Sequence, residues 1–135
     1  MKRVNADDIE LGDDYVYRLD SQPFTGVGFE VGEDGRLIGE IEFRDGMKNG
    51  ISREWSSNNN LVLEHMYVNN TRHGPQREWS DSGTLVCEEE FEHGICTRRK
   101  SWSDDGTPAG DYELVETDPQ FRLLESIRTA FNQNR

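Results

Sequence analysis

The feature that most constrains this chain is a sequence repeat of about 24 residues that runs from residue 24 to residue 106. Seven kinds of position recur in three copies: Gly26, Gly50 and Gly74; Val31, Trp55 and Trp79; Gly35, Asn59 and Gly83; Leu37, Leu61 and Leu85; Glu40, Glu64 and Glu88; Phe43, Tyr67 and Phe91; and Gly46, Asn70 and Gly94. A partial fourth copy supplies Trp102 and Gly106. Such a period indicates stacked units that bury a core only together.

Each unit has the pattern of a β-hairpin. Segments 37–43, 61–67 and 85–91 alternate in polarity with a period of two, which is typical of strands. The segments 32–35, 56–60, 80–83 and 103–106 are rich in Gly, Asn, Asp and Ser, which favour chain reversal. They lack the alternating carboxylates and closing Glu of a calcium loop, so we expect no metal there. The sequence therefore predicts a mainly β fold, an extended antiparallel sheet of stacked hairpins.

The ends of the chain lie outside the array. We divide the chain, a single domain, into residues 1–23, an acidic segment and capping strand; residues 24–110, the repeats; and residues 111–135, a capping helix. Residues 7–14 are expected to form a loop and Tyr15–Leu19 a strand. Asp118 and Pro119 predict a helix start, and Phe121, Leu124, Ile127 and Phe131 follow at helical spacing to about residue 132. This C-terminal α-helix would cover the apolar face of the last hairpin or cap the open end of the sheet.

The charge of the chain limits its partners. Asp and Glu number 27 against 15 Lys and Arg, which gives a formal net charge of −12. Such a surface repels phosphate backbones and anionic lipids, so we expect neither nucleic acid nor a membrane as a partner. There is no apolar run of about 18 residues, and the first eight residues do not resemble a signal peptide, so we expect a cytoplasmic protein.

The chain offers no recognisable catalytic constellation. His65, His73 and His93 are scattered, and Cys87 and Cys96 lie too far apart for a CxxC motif, so we expect two free thiols. No glycine-rich loop has the context of a phosphate site. We therefore expect that the protein is not an enzyme and that it has no catalytic residues, no metal-binding residues and no cofactor.

Tight turns imply a pairing register for the hairpins. We expect four cross-strand pairs: Trp55 with Leu61, Trp79 with Leu85, Phe43 with Ile51, and Tyr67 with Pro75. In that register one face is apolar and must be buried. Its members are Leu37, Ile41, Phe43, Ile51, Trp55, Leu61, Leu63, Tyr67, Trp79, Leu85, Cys87, Phe91 and Trp102.

The opposite face is expected to be acidic, with Arg99 as its only basic residue. We predict that it carries the partner-binding residues Glu40, Glu42, Glu54, Glu64, Glu78, Glu88 and Glu90. Glu40 would face Glu54 and Glu64 would face Glu78, and such like-charged pairs cost about 0.2–1 kcal/mol each. These glutamates therefore either bind a cationic partner or only make an exposed face soluble, and the sequence leaves both interpretations open.

The residues of the array resemble the MORN-repeat variant, in which each copy reads roughly as aromatic, turn, Gly, Leu, Glu, aromatic, Gly. Pro23-Phe24-Thr25-Gly26, with Gly50 to Trp55 and Gly74 to Trp79 in the pattern Gly-x-x-x-Glu-Trp, is similar to the bacterial YwqK-like antitoxin family. The resemblance implies a non-catalytic antitoxin or immunity protein whose partner is a protein toxin, and the acidic face would suit a basic toxin. The alternative is a MORN-type scaffold for protein–protein interactions, docked through Trp55, Trp79 and Trp102.

One short helix cannot cover a whole sheet face, so strong curvature, a homodimer or a partner must cover the rest.

Overall fold

A computed structural model describes residues 1–133 of the chain, so Asn134 and Arg135 of the predicted C-terminal segment lie outside the described residues. The strands are β1 (Arg3–Asn5), β2 (Glu10–Leu11), β3 (Tyr17–Leu19), β4 (Gln22–Pro23), β5 (Gly26–Val31), β6 (Leu37–Arg44), β7 (Met47–Trp55), β8 (Leu61–Val68), β9 (Thr71–Arg72), β10 (Gly74–Trp79), β11 (Leu85–Glu92), β12 (Ile95–Trp102) and β13 (Pro108–Glu113). A short 3-10 helix spans Ala6–Asp8, and one α-helix, α1, spans Pro119–Gln133.

The strands form one large sheet and one small sheet. The large sheet has ten strands in the order β1-β5-β6-β7-β8-β10-β11-β12-β13, with β9 paired to β8. All its neighbours are antiparallel except β1, which runs parallel to β5. The small sheet consists of β2, β3 and β4. The predicted antiparallel sheet of hairpins with a C-terminal helix is confirmed.

Two kinds of turn alternate along the array. The four-residue turns end on residues in the left-handed region, Gly35 (φ 79°), Asn59 (φ 63°), Gly83 (φ 94°) and Gly106 (φ 87°). The opposite end of the hairpins has two-residue turns at residues 45–46, 69–70 and 93–94, where both residues have positive φ. Such turns match the twist of the strands that they join.

The residue before each repeat glycine holds the next two-residue turn. Thr25 Oγ1 accepts a hydrogen bond from the Asp45 N–H at 2.8 Å. Asn49 Oδ1 accepts one from Asn69 at 3.3 Å, and His73 Nδ1 accepts one from His93 at 3.0 Å. Three different residue types accept the equivalent hydrogen bond at one repeat position. Because the residue type is not repeated, the sequence pattern does not indicate this contact.

The prediction of a loop at residues 7–14 is wrong, because this segment contains the 3-10 helix, strand β2 and a tight turn. The turn has the same bonds as the array: Gly12 N–H donates to Val16 O at 3.0 Å, as Ser56 N–H donates to Asn60 O at 2.8 Å. Tyr15 takes the left-handed position with φ 61°. An extra hairpin therefore precedes the array, hidden by a Tyr where the other turns have Gly or Asn.

The two caps pack on opposite faces of the large sheet. On the first face, Ile9 Cδ1 would lie 2.9 Å from a Cβ added at Gly28, and the Tyr17 and Phe24 rings lie 5.0 and 5.7 Å from that of Phe43. On the second face, helix α1 buries Leu124 to 1% exposure. The helix begins as predicted, since Asp118 Oδ1 accepts a hydrogen bond from the Gln120 N–H at 2.9 Å.

The expectation of one buried apolar face is wrong. Of its thirteen members only Phe43 and Cys87 are buried, and the others are half-buried. Along β7 and β8, both described in full, no residue is buried. The two caps cover the two ends of the array, and the middle of the sheet stays accessible on both sides.

Candidate partner-binding surface

The register of the hairpins shifts by one residue beside each four-residue turn. Trp55 pairs with Leu61 and Trp79 with Leu85, as predicted, but Glu54 pairs with Leu63, which leaves Val62 without a partner. The predicted pairs of Phe43 and Tyr67 are wrong: Phe43 faces Lys48, and Tyr67 faces Gly50 and Arg72. Strands β6 and β7 are joined by a two-residue turn and have a separate irregularity between Ile41 and Phe43. A register error of one residue exchanges the partner of every residue along a strand pair.

The observed register replaces the expected like-charged pairs by pairs of opposite charge. Glu40 faces Arg53 instead of Glu54, and Glu64 faces both Arg53 and Arg77. The row continues across the sheet, and we call it the ladder: Glu40, Arg53, Glu64, Arg77, Glu88, Lys100 and Asp111. The charges alternate in sign along seven strands. These glutamates therefore stabilise the pairing instead of opposing it.

Direct ion pairs connect much of the ladder. Arg53 Nε donates to Glu64 Oε2 at 3.0 Å, and Arg77 Nε donates to Glu88 Oε2 at 3.0 Å. Arg3 of strand β1 closes one end, with its Nη2 2.7 Å from Glu40 Oε1. Half-exposed cross-strand pairs of this kind are each worth about 0.2–1 kcal/mol.

The seven predicted partner-binding glutamates do not share one face, so the expected acidic plane is wrong. Glu40, Glu42, Glu64, Glu88 and Glu90 lie on the ladder face, whereas Glu54 and Glu78 lie on the opposite face, since side chains alternate along a strand. Arg99 also lies on the opposite face, where it pairs with Glu89. Glu42 has a structural contact, because its Oε2 accepts the Ile51 N–H at 3.2 Å.

The tryptophans lie beside the ladder. Trp55, Trp79 and Trp102 each follow a basic ladder residue by two positions, so they share its face and form what we call the tryptophan row. All three are half-buried. The expectation that they line the same face as Leu63 and Tyr67 is wrong. The bulge at Val62 explains the error. The extra residue puts Leu61, with its partner Trp55, on the face opposite to Leu63 and Tyr67.

A second row of carboxylates crosses the opposite face. Glu30, Glu54 and Glu78 stand 24 residues apart in sequence, and we call them the glutamate row. Gly39 lies between Glu30 and Glu54, and Leu63 lies between Glu54 and Glu78. Sequence reasoning missed Glu30, although its position in the repeat identifies it as the counterpart of Glu54 and Glu78.

Closer to the two-residue turns, the same face carries a compensated polar cluster. The Arg72 guanidinium lies 4.1 Å from the centre of the Phe91 ring, and its Nη2 lies 3.4 Å from Glu89 Oε1. Gln76 is 1% exposed and bonds the backbone of Met66 through both its amide atoms. Burial, followed by the charge of Arg72, holds the pKa of His65 below its usual range. This cluster neutralises its own charges and clamps the sheet.

Several other carboxylates are engaged locally. The Arg18 guanidinium lowers the pKa of Asp14 to about 2. Hydrogen bonds from Ser56, Asn58 and Asn60 of one turn hold the pKa of Asp81 in the next turn below its usual range. Turn carboxylates thus join neighbouring repeats.

The thiols are poorly suited to chemistry at neutral pH. Cys87 and Cys96 are both free, and burial raises the pKa of each thiol. A protonated thiol is a weak nucleophile. Within residues 1–133, the α-helix has neither the length nor the apolar character that a bilayer crossing requires.

Comparison with known proteins identifies a relative of this chain. No family model matches the chain. The chain is 45% identical over 115 residues to "Immunity protein YwqK" of Bacillus subtilis (strain 168), and the match covers 84% of this chain and 75% of that protein. Identity at this level over most of both chains shows common descent, and the chain belongs to the YwqK-like immunity protein family.

Proposed function

We propose that this protein is a non-catalytic immunity protein that neutralises a cognate protein toxin by binding to it in the cytoplasm. The observation that carries the proposal is its 45% identity to an immunity protein over 84% of the chain. The accessible middle of the sheet, where no residue of β7 or β8 is buried, offers a surface for such a partner.

The toxin is basic in this proposal, because the chain repels anions over much of its surface. The ladder and Arg3 contain four acidic and four basic residues, so the net charge of −12 arises elsewhere on the chain. An excess of this size accelerates association with a cationic partner and makes it sensitive to salt. Enzymes that act on nucleic acid carry basic clefts, which an acidic protein could fill.

Co-production tests the proposal. The protein encoded immediately upstream of this gene is produced in a heterologous host with and without this chain, and growth and complex formation are measured. We expect growth arrest without the chain, rescue with it, and a complex that elutes as one species in size-exclusion chromatography. Equal growth arrest in both cultures, or separate elution of the two proteins, would contradict the proposal.

The second candidate function is a MORN-type scaffold, and the tryptophan row favours it. Trp55, Trp79 and Trp102 are half-buried on a face whose ladder is balanced in charge, and tryptophans are frequent hot spots of protein interfaces. A scaffold of this kind would bind a partner that is not basic. Trp55→Ala with Trp79→Ala would then abolish binding in both low and high salt, and no toxin gene would lie upstream.

A further inference from the structure

The glutamate row repeats at a regular distance. Its members lie on β5, β7 and β10, and one strand separates each from the next. Neighbouring strands lie about 4.8 Å apart, so successive carboxylates stand about 10 Å apart along a line across the sheet. Gly39 adds no side chain between the first two. Instead Glu30 leans over it, with Oε2 3.5 Å from the place of the missing Cβ.

The row has little compensating charge. Within residues 1–133, Glu30 and Glu54 form no ion pair and accept no side-chain hydrogen bond, and both are exposed. Glu78 has a side chain that is 45% exposed, and its Oε1 lies 3.8 Å from His65 Nε2. Because the pKa of His65 is lowered, this ring is mainly neutral at pH 7 and leaves the charge of Glu78 in place.

The sheet surface around the row is accessible. The N-terminal cap covers this face near the two-residue turns, where Tyr17 and Phe24 contact Phe43. Glu30 and Glu54 stay exposed, and Leu63 between Glu54 and Glu78 is half-buried. The face thus offers an apolar contact flanked by carboxylates. A second copy of this chain fits poorly, because it would bring an equally acidic surface against the same row.

We infer that a basic toxin docks on this face, with arginine or lysine side chains placed about 10 Å apart on Glu30, Glu54 and Glu78. The inference rests on the proposed function and adds to it the face and the chemistry of the contact. Arginine suits the row best, because its planar guanidinium binds a carboxylate through two hydrogen bonds and its stem packs on an apolar residue such as Leu63.

Two triple variants with the same chemical change test the inference. One replaces the row (Glu30→Gln, Glu54→Gln, Glu78→Gln), and the control replaces three glutamates of the ladder (Glu40→Gln, Glu64→Gln, Glu88→Gln). Both change the net charge equally, and each ladder position lies on a strand adjacent to one of the row. Binding to an inactive variant of the upstream-encoded toxin is measured by calorimetry at low and high salt, after circular dichroism confirms folding.

We expect the row variant to raise Kd at low salt by about tenfold or more and to flatten its salt dependence, since three charged contacts are lost. The ladder variant should change Kd by less than about threefold. An unchanged Kd for the row variant, or an equal loss for the ladder variant, overturns the docking face while the proposed function stands. If the unmodified protein fails both to bind the toxin and to rescue growth, the proposed function fails and the docking face with it.

If the ladder variant fails to fold, the single variants Glu54→Gln and Glu64→Gln replace the triples. The single variants still distinguish the two faces. A rise in Kd for Glu54→Gln alone supports the row, whereas a rise for Glu64→Gln alone would place the contact on the ladder face and overturn the inference. The triple variant Glu30→Lys, Glu54→Lys, Glu78→Lys reverses the charge of the row. It should abolish binding to the toxin at low salt, and a Kd that stays within about threefold would overturn the inference.

Discussion

Both faces of the large sheet carry glutamates in each of the three repeats, but these glutamates have different partners. On the ladder face the second and third repeats each supply a glutamate and an arginine that meet across strands, as Glu64 and Arg53 do at 3.0 Å. On the opposite face each of the three repeats supplies one glutamate to the glutamate row, such as Glu54, which faces Gly39 and Leu63. The first arrangement explains stability, and the second leaves carboxylates with little compensating charge.

The largest effects should come from the caps, one on each face. Leu124→Ala removes a side chain of 1% exposure from the ladder-face cap, and Phe43→Ala removes the buried ring of β6 on which the other cap packs. Each should lower the free energy of unfolding by about 2–5 kcal/mol. Urea titration followed by tryptophan fluorescence measures this. The neighbouring Leu123, 55% exposed, is the control, and Leu123→Ala should change the value by at most about 0.5 kcal/mol. Equal losses for Leu123 and Leu124 would contradict the docking of the helix.

Charge reversal within the ladder should have the next largest effect. Arg77→Glu places a third carboxylate between Glu64 and Glu88, so it replaces two attractive contacts by two repulsive ones. We expect a loss of about 1–3 kcal/mol, smaller in high salt. The control is Arg44→Glu at an exposed position, with an expected change within about 0.5 kcal/mol. A similar loss for both variants would show that the ladder adds no specific stability.

Acid should weaken the attachment of helix α1 to the ladder face. Arg128 donates two hydrogen bonds of 2.6 Å to Glu92, which holds the pKa of Glu92 below its usual range. A lowered carboxyl pKa gives stability that is complete above the unfolded pKa of about 4.3 and is lost as pH falls through the folded value. The loss should stay below about 1 kcal/mol because both groups are partly exposed. Unfolding of Glu92→Gln from pH 7 to pH 3 should lack this component, and an identical pH profile would refute the contact.

The smallest effect should come from the glutamate row. Glu54→Gln removes an exposed charge without a partner, so the free energy of unfolding should change by at most about 0.5 kcal/mol. Glu64→Gln, the same change on the next strand, should cost about 0.5–1 kcal/mol, since it loses contacts with Arg53 and Arg77. Thermal unfolding at low salt compares the two. A larger cost at Glu54 would place the structural pairing on the wrong face.

The repeat was sufficient to predict the fold, because its period, turn residues and alternation all indicate hairpins. It also gave the pairs next to each turn, such as Trp55 with Leu61, since turn geometry fixes them. It could not give the partners further along. An unpaired Val62 leaves no mark in the alternation, yet it shifts the pairing of β8 with β7 by one residue, so that Glu64 faces Arg53. The N-terminal hairpin was not predicted, because Tyr15 adopts the left-handed conformation, which Gly or Asn usually occupies in a turn.

The ladder has a consequence for how such a protein can grow. A duplicated unit brings one acidic and one basic rung together, so the alternation of sign survives any gain or loss of whole copies. The same duplication would add one more glutamate to the row on the other side. Copy number could therefore tune the charge offered to a partner, one step at a time, while the electrostatics that hold the array together stay constant.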